Sequence, residues 1–501
     1  MRTIVILEDS VSRRFLKTYN EKTFVKTPNL ERLQEKSFVF ENHWTGSAPC
    51  MPARRDMLTG RLNFLERSWG PIEPFDLSLP ELLRKQSVRS HMVTDHYHYL
   101  EIGGEGYCQS FDTWECFRGQ EYDPLEWGGS RYSAPPHKGV YSEKYHVNRK
   151  EFIEEEQFPT PRTFQSAVNW LERHGDEDDF MLWVEGFDPH EPFDTPKEFL
   201  EMYGDEYDDD EFIWPEYAPF NGSDEELKHI RNRYAATLTM TDRWIGKLLD
   251  VIEKQNRWED TLIVFTTDHG YMLGEHGFMA KNYMPAYNEV FHIPLLIHIP
   301  GQSEENRIVA LTQNIDLYPT IAFHHGCDAD SYSNEIHGKN LFPLMSGSVE
   351  TFRDYILYGL YGKSVNITDG NYTYFKCPAD EDNKPLNLYT AMPTTIRTYL
   401  GGDRITDYNG IECGRYLPWT DFPVYSIPSD IINFNNSTMR FARRGPYGKE
   451  DLLFDIRNDY EQNENIDNLK LTGYMKDLMI RALEEYQSPP EQYVRLGLSD
   501  A

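Results

Sequence analysis

Residues 47–61 read SAPCMPARRDMLTGR, with a lone cysteine, Cys50, two residues before Pro52 and four before Arg54. If PARRDMLTG forms a helix with Pro52 in its first turn, Cys50 lies at or just before the helix start. Free backbone N–H groups and the helix dipole favour an anion there. Long helical side chains lean back toward the N-terminus, so the Arg54 guanidinium can reach residue 50. A nucleophile with a cation beside it and anion-binding amides beneath it suits attack on a sulfate or phosphate ester. The competing reading is a buried cysteine in a helix cap, with Arg54 in solvent.

Other polar residues collect where short apolar runs end. TIVIL (3–7) runs into Glu8-Asp9, and SHMV (90–93) runs into Thr94-Asp95-His96-Tyr97-His98. FMLWVEGF (180–187) runs into Asp188-Pro189-His190, and TLIVFTT (261–267) into Asp268-His269-Gly270. Each alone is an ordinary turn with an aspartate as cap. In an open α/β sheet, however, ligands bind outside the carboxyl ends of the strands, so four such ends predict one site. Asp9, Asp268 and His269 offer two hard oxygen donors and an imidazole nitrogen, a donor set for a divalent metal. On spacing alone an Asp-His pair is more often structural.

The elements that must position these residues follow from the pattern. Buried strands are expected at 3–7, 90–95, 180–187, 261–268 and 293–300. Helices are expected at 27–37, with Thr27 as N-cap and Pro28 at the first helical position, and at 231–255. Alternating strands and helices predict a doubly wound, largely parallel α/β domain over residues 1–350. After GKNLFPLMSG the texture changes to short Tyr/Thr-rich runs and a closing helix at 475–487. That predicts a smaller α+β domain with an antiparallel sheet over 351–501, completing the substrate pocket.

With 501 residues, 39% hydrophobic and 14% aromatic, the chain is long and apolar enough for a sizeable core. The formal net charge of −32 argues against sequence-independent nucleic-acid binding. Acidic clusters such as GDEDD (175–179) read as solvated loops. The opening MRTIVILEDS lacks the longer apolar segment of a secretory leader, and no apolar run approaches the ~20 residues needed to span a bilayer. The expectation is a soluble, cytoplasmic protein that does not act at a membrane, as a monomer or a homo-oligomer. Six cysteines without a C-x-x-C pair are expected to be reduced thiols.

In their order and spacing, CMPAR with LTGR (50–61), TPNLERL (27–33), PHEPF (189–193) and DHGYMLGEHG (268–277) with Lys281 resemble the sulfatase family of the alkaline-phosphatase superfamily. NIDLYPTI (314–321), VNITDGNY (365–372) and LLFDIRNDYEQNENI (452–466) extend the resemblance over nearly the whole chain. It implies that a maturation enzyme oxidises Cys50 to formylglycine, an aldehyde that hydrates to a geminal diol. One diol oxygen attacks sulfur and displaces the substrate alcohol; the second hydroxyl then loses its proton and expels sulfate. It further implies that Asp9, Asp268, His269 and residue 50 hold one divalent metal. Arg54 would stabilise the diol and the sulfate charge, Lys281 would contact the sulfate oxygens, and His190 would protonate the leaving group.

The chain departs from the family pattern in three places. Ser10 stands where many members have a second acid, and His269 where many have asparagine, so Mn²⁺ is considered beside the family's usual Ca²⁺. That pattern also resembles the phosphonate monoester hydrolases of the same fold. DHYHY (95–99) replaces a Gly-Lys-Trp-His segment, with His98 in the histidine role near the diol and His96 in place of the lysine.

The expected reaction is hydrolysis of a sulfate monoester, with a sulfated carbohydrate as substrate. Trp114, Trp127 and Arg118 in FDTWECFRGQEYDPLEW (111–127) are expected to form an aromatic, Arg-lined rim. The alternatives are a phosphonate monoester or phosphodiester hydrolase, and a non-catalytic anion-binding relative in which Cys50 stays a thiol.

Overall fold

A computed structural model of the chain describes residues 1–129, 133–329, 336–433 and 450–498. Among the described residues, eight strands form the main sheet: β1 (Arg2–Glu8), β2 (Phe38–Trp44), β3 (Arg89–Thr94), β4 (Thr113–Cys116), β5 (Phe180–Gly186), β6 (Thr261–Thr267), β7 (Leu295–His298) and β8 (Asn306–Gln313). Their spatial order is β8-β2-β7-β6-β1-β5-β3-β4. All run parallel except β7, which is antiparallel to both its neighbours. The doubly wound, largely parallel sheet predicted from the alternation of strands and helices is present, with 293–300 as its reversed strand.

β1 is central because its residues are apolar on both faces, as a strand covered on both sides requires. Ile4 and Ile6 join a core with Trp244 and Leu248, whereas Val5 and Leu7 join one with Met51, Met57 and Leu58. Trp244 and Leu248 belong to a helix at Asp224–Lys254, which starts seven residues before the expected 231. Ser223 and Glu226 form a capping box there, Ser223 N–H donating to Glu226 Oε2 at 2.6 Å. The helix at Pro159–His174 has no counterpart in the predicted elements.

A second sheet contains four strands of the C-terminal part, Ile356–Leu360, Val365–Thr368, Tyr372–Lys376 and Leu452–Asp455, paired antiparallel. Its fifth strand is Ser47–Ala48, which pairs in parallel with Ile356–Leu360 immediately before Cys50. The closing helix spans Leu469–Glu485 and packs on this sheet; Asn468 caps it by accepting from Leu471 N–H at 3.1 Å.

Candidate active site

The carboxyl ends of β1, β5 and β6, together with the helix Cys50–Thr59, meet at one point. Cys50 is the first residue of that helix, and every residue of the helix is buried. Cys50 Sγ lies 3.2 Å from His269 Nε2 and 4.0 Å from Asp9 Oδ1. One donor atom from each of Asp9, Cys50, Asp268 and His269 falls within a 4.8 Å cluster.

These donors fit a divalent cation. His269 Nδ1 lies 2.9 Å from the Gly270 carbonyl oxygen and donates to it, which leaves the Nε2 lone pair facing Cys50. That is the tautomer and orientation a metal-ligating histidine takes. Ser10, in the place of a second acid, acts as a bridge: its hydroxyl donates to Asp9 Oδ1 at 2.7 Å and accepts from Lys281 Nζ at 2.9 Å. Its backbone N–H donates to Asp268 Oδ1 at 3.1 Å, an arrangement held with Ser10 at φ +65°.

Arg54 lies behind the cluster with its guanidinium fully buried. Nε donates to Glu185 at 2.8 Å, Nη1 to Asp268 at 2.5 Å and Nη2 to Asp9 at 3.0 Å. Nη1 also reaches the Cys50 carbonyl oxygen at 3.1 Å, as the four-residue helical spacing requires. Glu185 was not expected at the site, because it is one acid inside the apolar run FMLWVEGF. It accepts from Tyr99 at 2.9 Å and from Trp183 at 3.2 Å as well.

Charge follows from this packing. Burial pushes the Cys50 thiol well above its usual range, Asp9 and Asp268 add to the rise, and Lys281 and Arg54 oppose it. An unmodified Cys50 is therefore a neutral thiol rather than the thiolate a helix start alone would favour. Burial raises Asp9, but Lys281, His190 and Arg54 outweigh it and hold the carboxyl well below the usual carboxylate range.

Cys50 opens into a pocket of about 480 Å³. His98, His190 and Lys281 line it with Cys50, while Trp69, Tyr122, Trp214, Tyr217 and Tyr361 supply aromatic surface. Glu121, Glu216, Lys363 and Arg397 complete its charged wall. His98 Nδ1 is paired with Glu101 at 2.7 Å, and the edge of Trp69 packs against its ring. Lys281 Nζ lies 3.7 Å from Asp9 and 3.8 Å from Glu191.

Four residues expected on the substrate side are absent from the pocket wall. His96 lies behind Asp9, 3.5 Å from its Oδ2, with its ring against Tyr99 and Phe187. Trp114 projects from edge strand β4 with 42% of its surface exposed, and Arg118 is forked onto Asp123. Trp127 is 88% exposed. The aromatic wall comes instead from loops around residues 69, 122, 217 and 361 and from Trp214 at the end of the strand Glu211–Trp214. Their aromatic residues carry no distinguishing pattern in sequence.

A family model described as Sulfatase matches residues 2–326. The chain belongs to the sulfatase family. As a sulfatase it is a sulfuric ester hydrolase, and a choline-sulfatase, an arylsulfatase and an iduronate 2-sulfatase are among its curated relatives. It is 25% identical over 500 residues to the choline-sulfatase of Rhizobium meliloti (strain 1021), covering 85% of this chain and 95% of that protein. The phosphonate monoester hydrolase of Agrobacterium radiobacter superposes with a TM-score of 0.66 at 17% identity, over 97% of this chain and 95% of that one. BT4656, solved with its substrate D-glucosamine-2-N,6-O-disulfate, gives 0.65 at 15% identity over 98% of each chain. At those identities the two solved structures speak for the shared fold.

Proposed function

We propose that this sulfatase hydrolyses a sulfate monoester carried on a carbohydrate, with Cys50 converted to formylglycine by a maturation enzyme. The observation that carries the reading is the convergence of Cys50, Lys281, His98 and His190 on one pocket directly above the Asp9–Asp268–His269 donors. Five aromatic side chains around that pocket suit the faces of a sugar ring, with a few charged groups to fix its orientation. Tyr361, Lys363 and Arg397 support the proposal that residues 351–501 complete the substrate pocket. Six free cysteines are in keeping with a cytoplasmic enzyme acting on small imported sugars.

Asp9, Asp268, His269 and residue 50 would hold one divalent ion, Ca²⁺ or alternatively Mn²⁺, which when bound supplies positive charge against the sulfate oxygens. Hydrated formylglycine supplies an oxygen nucleophile and a second hydroxyl with which to release sulfate. The chain's own residues orient the reaction. Arg54 fixes both ligand carboxylates and the first turn of the Cys50 helix. Lys281, tied to Ser10, directs its ammonium toward the sulfate. Buried His98, oriented by Glu101, faces the substrate side of residue 50.

The test is sulfate release by matured enzyme from a panel of sulfated mono- and disaccharides, with Cys50→Ala as control. Intact-mass measurement should find the matured chain about 18 Da lighter than the thiol form, the difference between thiol and aldehyde. Turnover of aryl sulfates without any sugar sulfate would refute the carbohydrate assignment. Higher efficiency on an aryl phosphonate would transfer the site to phosphonate esters. Undiminished hydrolysis by Cys50→Ala would overturn both.

A further inference from the structure

The aromatic surface of the catalytic pocket continues beyond it. Tyr122 lines both that pocket and a second, open cleft of about 570 Å³ beside the helix Glu143–Asn148. Within the pocket its ring packs against Trp214, with centroids 5.0 Å apart. Within the cleft it is joined by Leu125 and by Trp127, whose indole is almost wholly exposed. Trp127, absent from the catalytic pocket, thus stands in the space next to it.

A single exposed apolar side chain is ordinary on a protein surface. This one is presented by a braced turn. Buried Asn148 donates from Nδ2 to the carbonyl oxygens of Gly119 at 3.3 Å and Asp123 at 2.9 Å, and its Oδ1 accepts from Glu126 N–H at 3.1 Å. Ser142 Oγ donates to the Glu121 carbonyl oxygen at 3.1 Å and accepts from Tyr145 N–H at 3.2 Å, tying the helix start to the same turn. Arg118, forked onto Asp123, and Gly119 N–H, which donates to Asp123 Oδ2 at 2.8 Å, close it from the other end. The backbone is held up to the residue before Trp127, while the ring stays in solvent. Charge separates the two cavities. Glu126, Glu143 and Lys144 give the cleft two carboxylates and one ammonium, all exposed, whereas Lys281, Lys363 and Arg397 outnumber Glu121 and Glu216 in the catalytic pocket. Carboxylates accept from hydroxyl groups and repel a sulfate.

We infer that this cleft is a second sugar subsite. When the sulfated unit of an oligosaccharide occupies the catalytic pocket, an adjoining unsulfated unit lies in the cleft with one face on Trp127. Its hydroxyl groups donate to Glu126 and Glu143, and Tyr122 stands at the boundary between the two units. The apolar face of a sugar ring suits an exposed indole, and hydroxyl donors suit the carboxylates beside it. The substrate this surface fits is a sulfated oligosaccharide in preference to a sulfated monosaccharide.

The inference rests on the carbohydrate reading, and paired substrates test the two separately. Matured wild-type enzyme and Trp127→Ala are assayed on pairs, each a sulfated monosaccharide and the disaccharides in which an unsulfated hexose is joined to that same unit on either side. In the wild type kcat/KM should be about three- to thirtyfold higher on the better disaccharide, through KM rather than kcat, and Trp127→Ala should erase that advantage. Trp127→Phe, which keeps a ring face, should retain most of it. The ratio within one protein is independent of how much of a variant folds, since one population turns over both substrates. A second sulfate on the adjoining unit should cancel the wild-type advantage. No sugar turnover by the wild type would refute the carbohydrate reading and the subsite together. Equal efficiency on all members of every pair, or a disaccharide advantage that survives in Trp127→Ala, would overturn the subsite alone. Preference for the doubly sulfated disaccharide would overturn the assignment to an unsulfated unit.

Discussion

Replacing Arg54 by alanine should destabilise the protein by about 4–5 kcal/mol, for reasons visible in its contacts. The guanidinium makes charge-assisted bonds to Glu185, Asp268 and Asp9, with all four side chains at most 1% exposed. Each such bond contributes about 1.5–3 kcal/mol, so simple addition would give roughly 4.5–9 kcal/mol. The sum overshoots because all three partners keep other donors: Glu185 retains Tyr99 and Trp183, Asp9 retains Ser10 and Lys281, and Asp268 retains the backbone N–H groups of Ser10 and His269. The lower end also matches the ~3–5 kcal/mol cost of breaking one side of a buried ion pair. Unfolding entropy of about 2.1 cal/mol/K per residue amounts to roughly 1 kcal/mol/K for 501 residues, so Tm should fall by about 4 °C. Scanning calorimetry in Ca²⁺ and again in chelator provides the assay. The deficit should be larger in chelator, where no bound cation adds its charge against Asp9 and Asp268. Arg54→Lys keeps the charge but cannot fork to three carboxylates, so it should recover about half the loss. A Tm for Arg54→Ala within about 1 °C of wild type in chelator would refute the reasoning.

Three further outcomes are expected. Dialysis against chelator should lower Tm by about 3 °C relative to protein in Ca²⁺ or Mn²⁺ at a hundredfold excess over Kd, and Asp9→Asn should abolish that gap; an unchanged wild-type Tm would count against the ion site. Burial lowers His43 to about 3, so its stabilising contribution is complete above about pH 6.5 and is lost as pH falls toward 3. His43→Gln should therefore remove about 1 kcal/mol of destabilisation between pH 6.5 and 5.5, and parallel Tm curves for the two proteins would contradict this. Trp69→Ala should raise KM about three- to tenfold through lost ring contact, whereas Trp114→Ala should change it less than twofold; the reverse ranking would place the sugar elsewhere.

The main sheet and the metal-type donors were legible because both depend on local patterns. An apolar run ending in Asp is visible in sequence, and β-sheet topology supplies the rest: Asp9, Asp268 and His269 meet because β1 and β6 are neighbours. The helix at Cys50 was legible from Pro52 and the polar spacing that follows it. The pocket wall was not. Glu121 and Arg397 sit in turns whose shape depends on left-handed backbone at residues other than glycine, for which the sequence gives no cue. Trp114 and Arg118 lie in the same aromatic-rich segment as Glu121 and Tyr122, yet composition cannot say which of them point inward. The helix Pro159–His174 went unrecognised because its first turn, PTPRT, reads as a loop. Prolines at the start of a helix lose no intrahelical donor, and that is where these two lie.

The parallel pairing of Ala48 with Leu360 has a consequence for biosynthesis. The segment just before Cys50 completes its sheet only when a strand some 310 residues later has left the ribosome, roughly 15–60 s later at ~5–20 residues per second. Until then the stretch around Cys50 lacks its final partner and stays open to a modifying enzyme. On the proposed maturation of Cys50, the fold thus sets a clock: the thiol would have to be converted before Ile356–Leu360 arrives, and a faster ribosome or a slower maturation enzyme would leave more chains sealed around an unmodified cysteine.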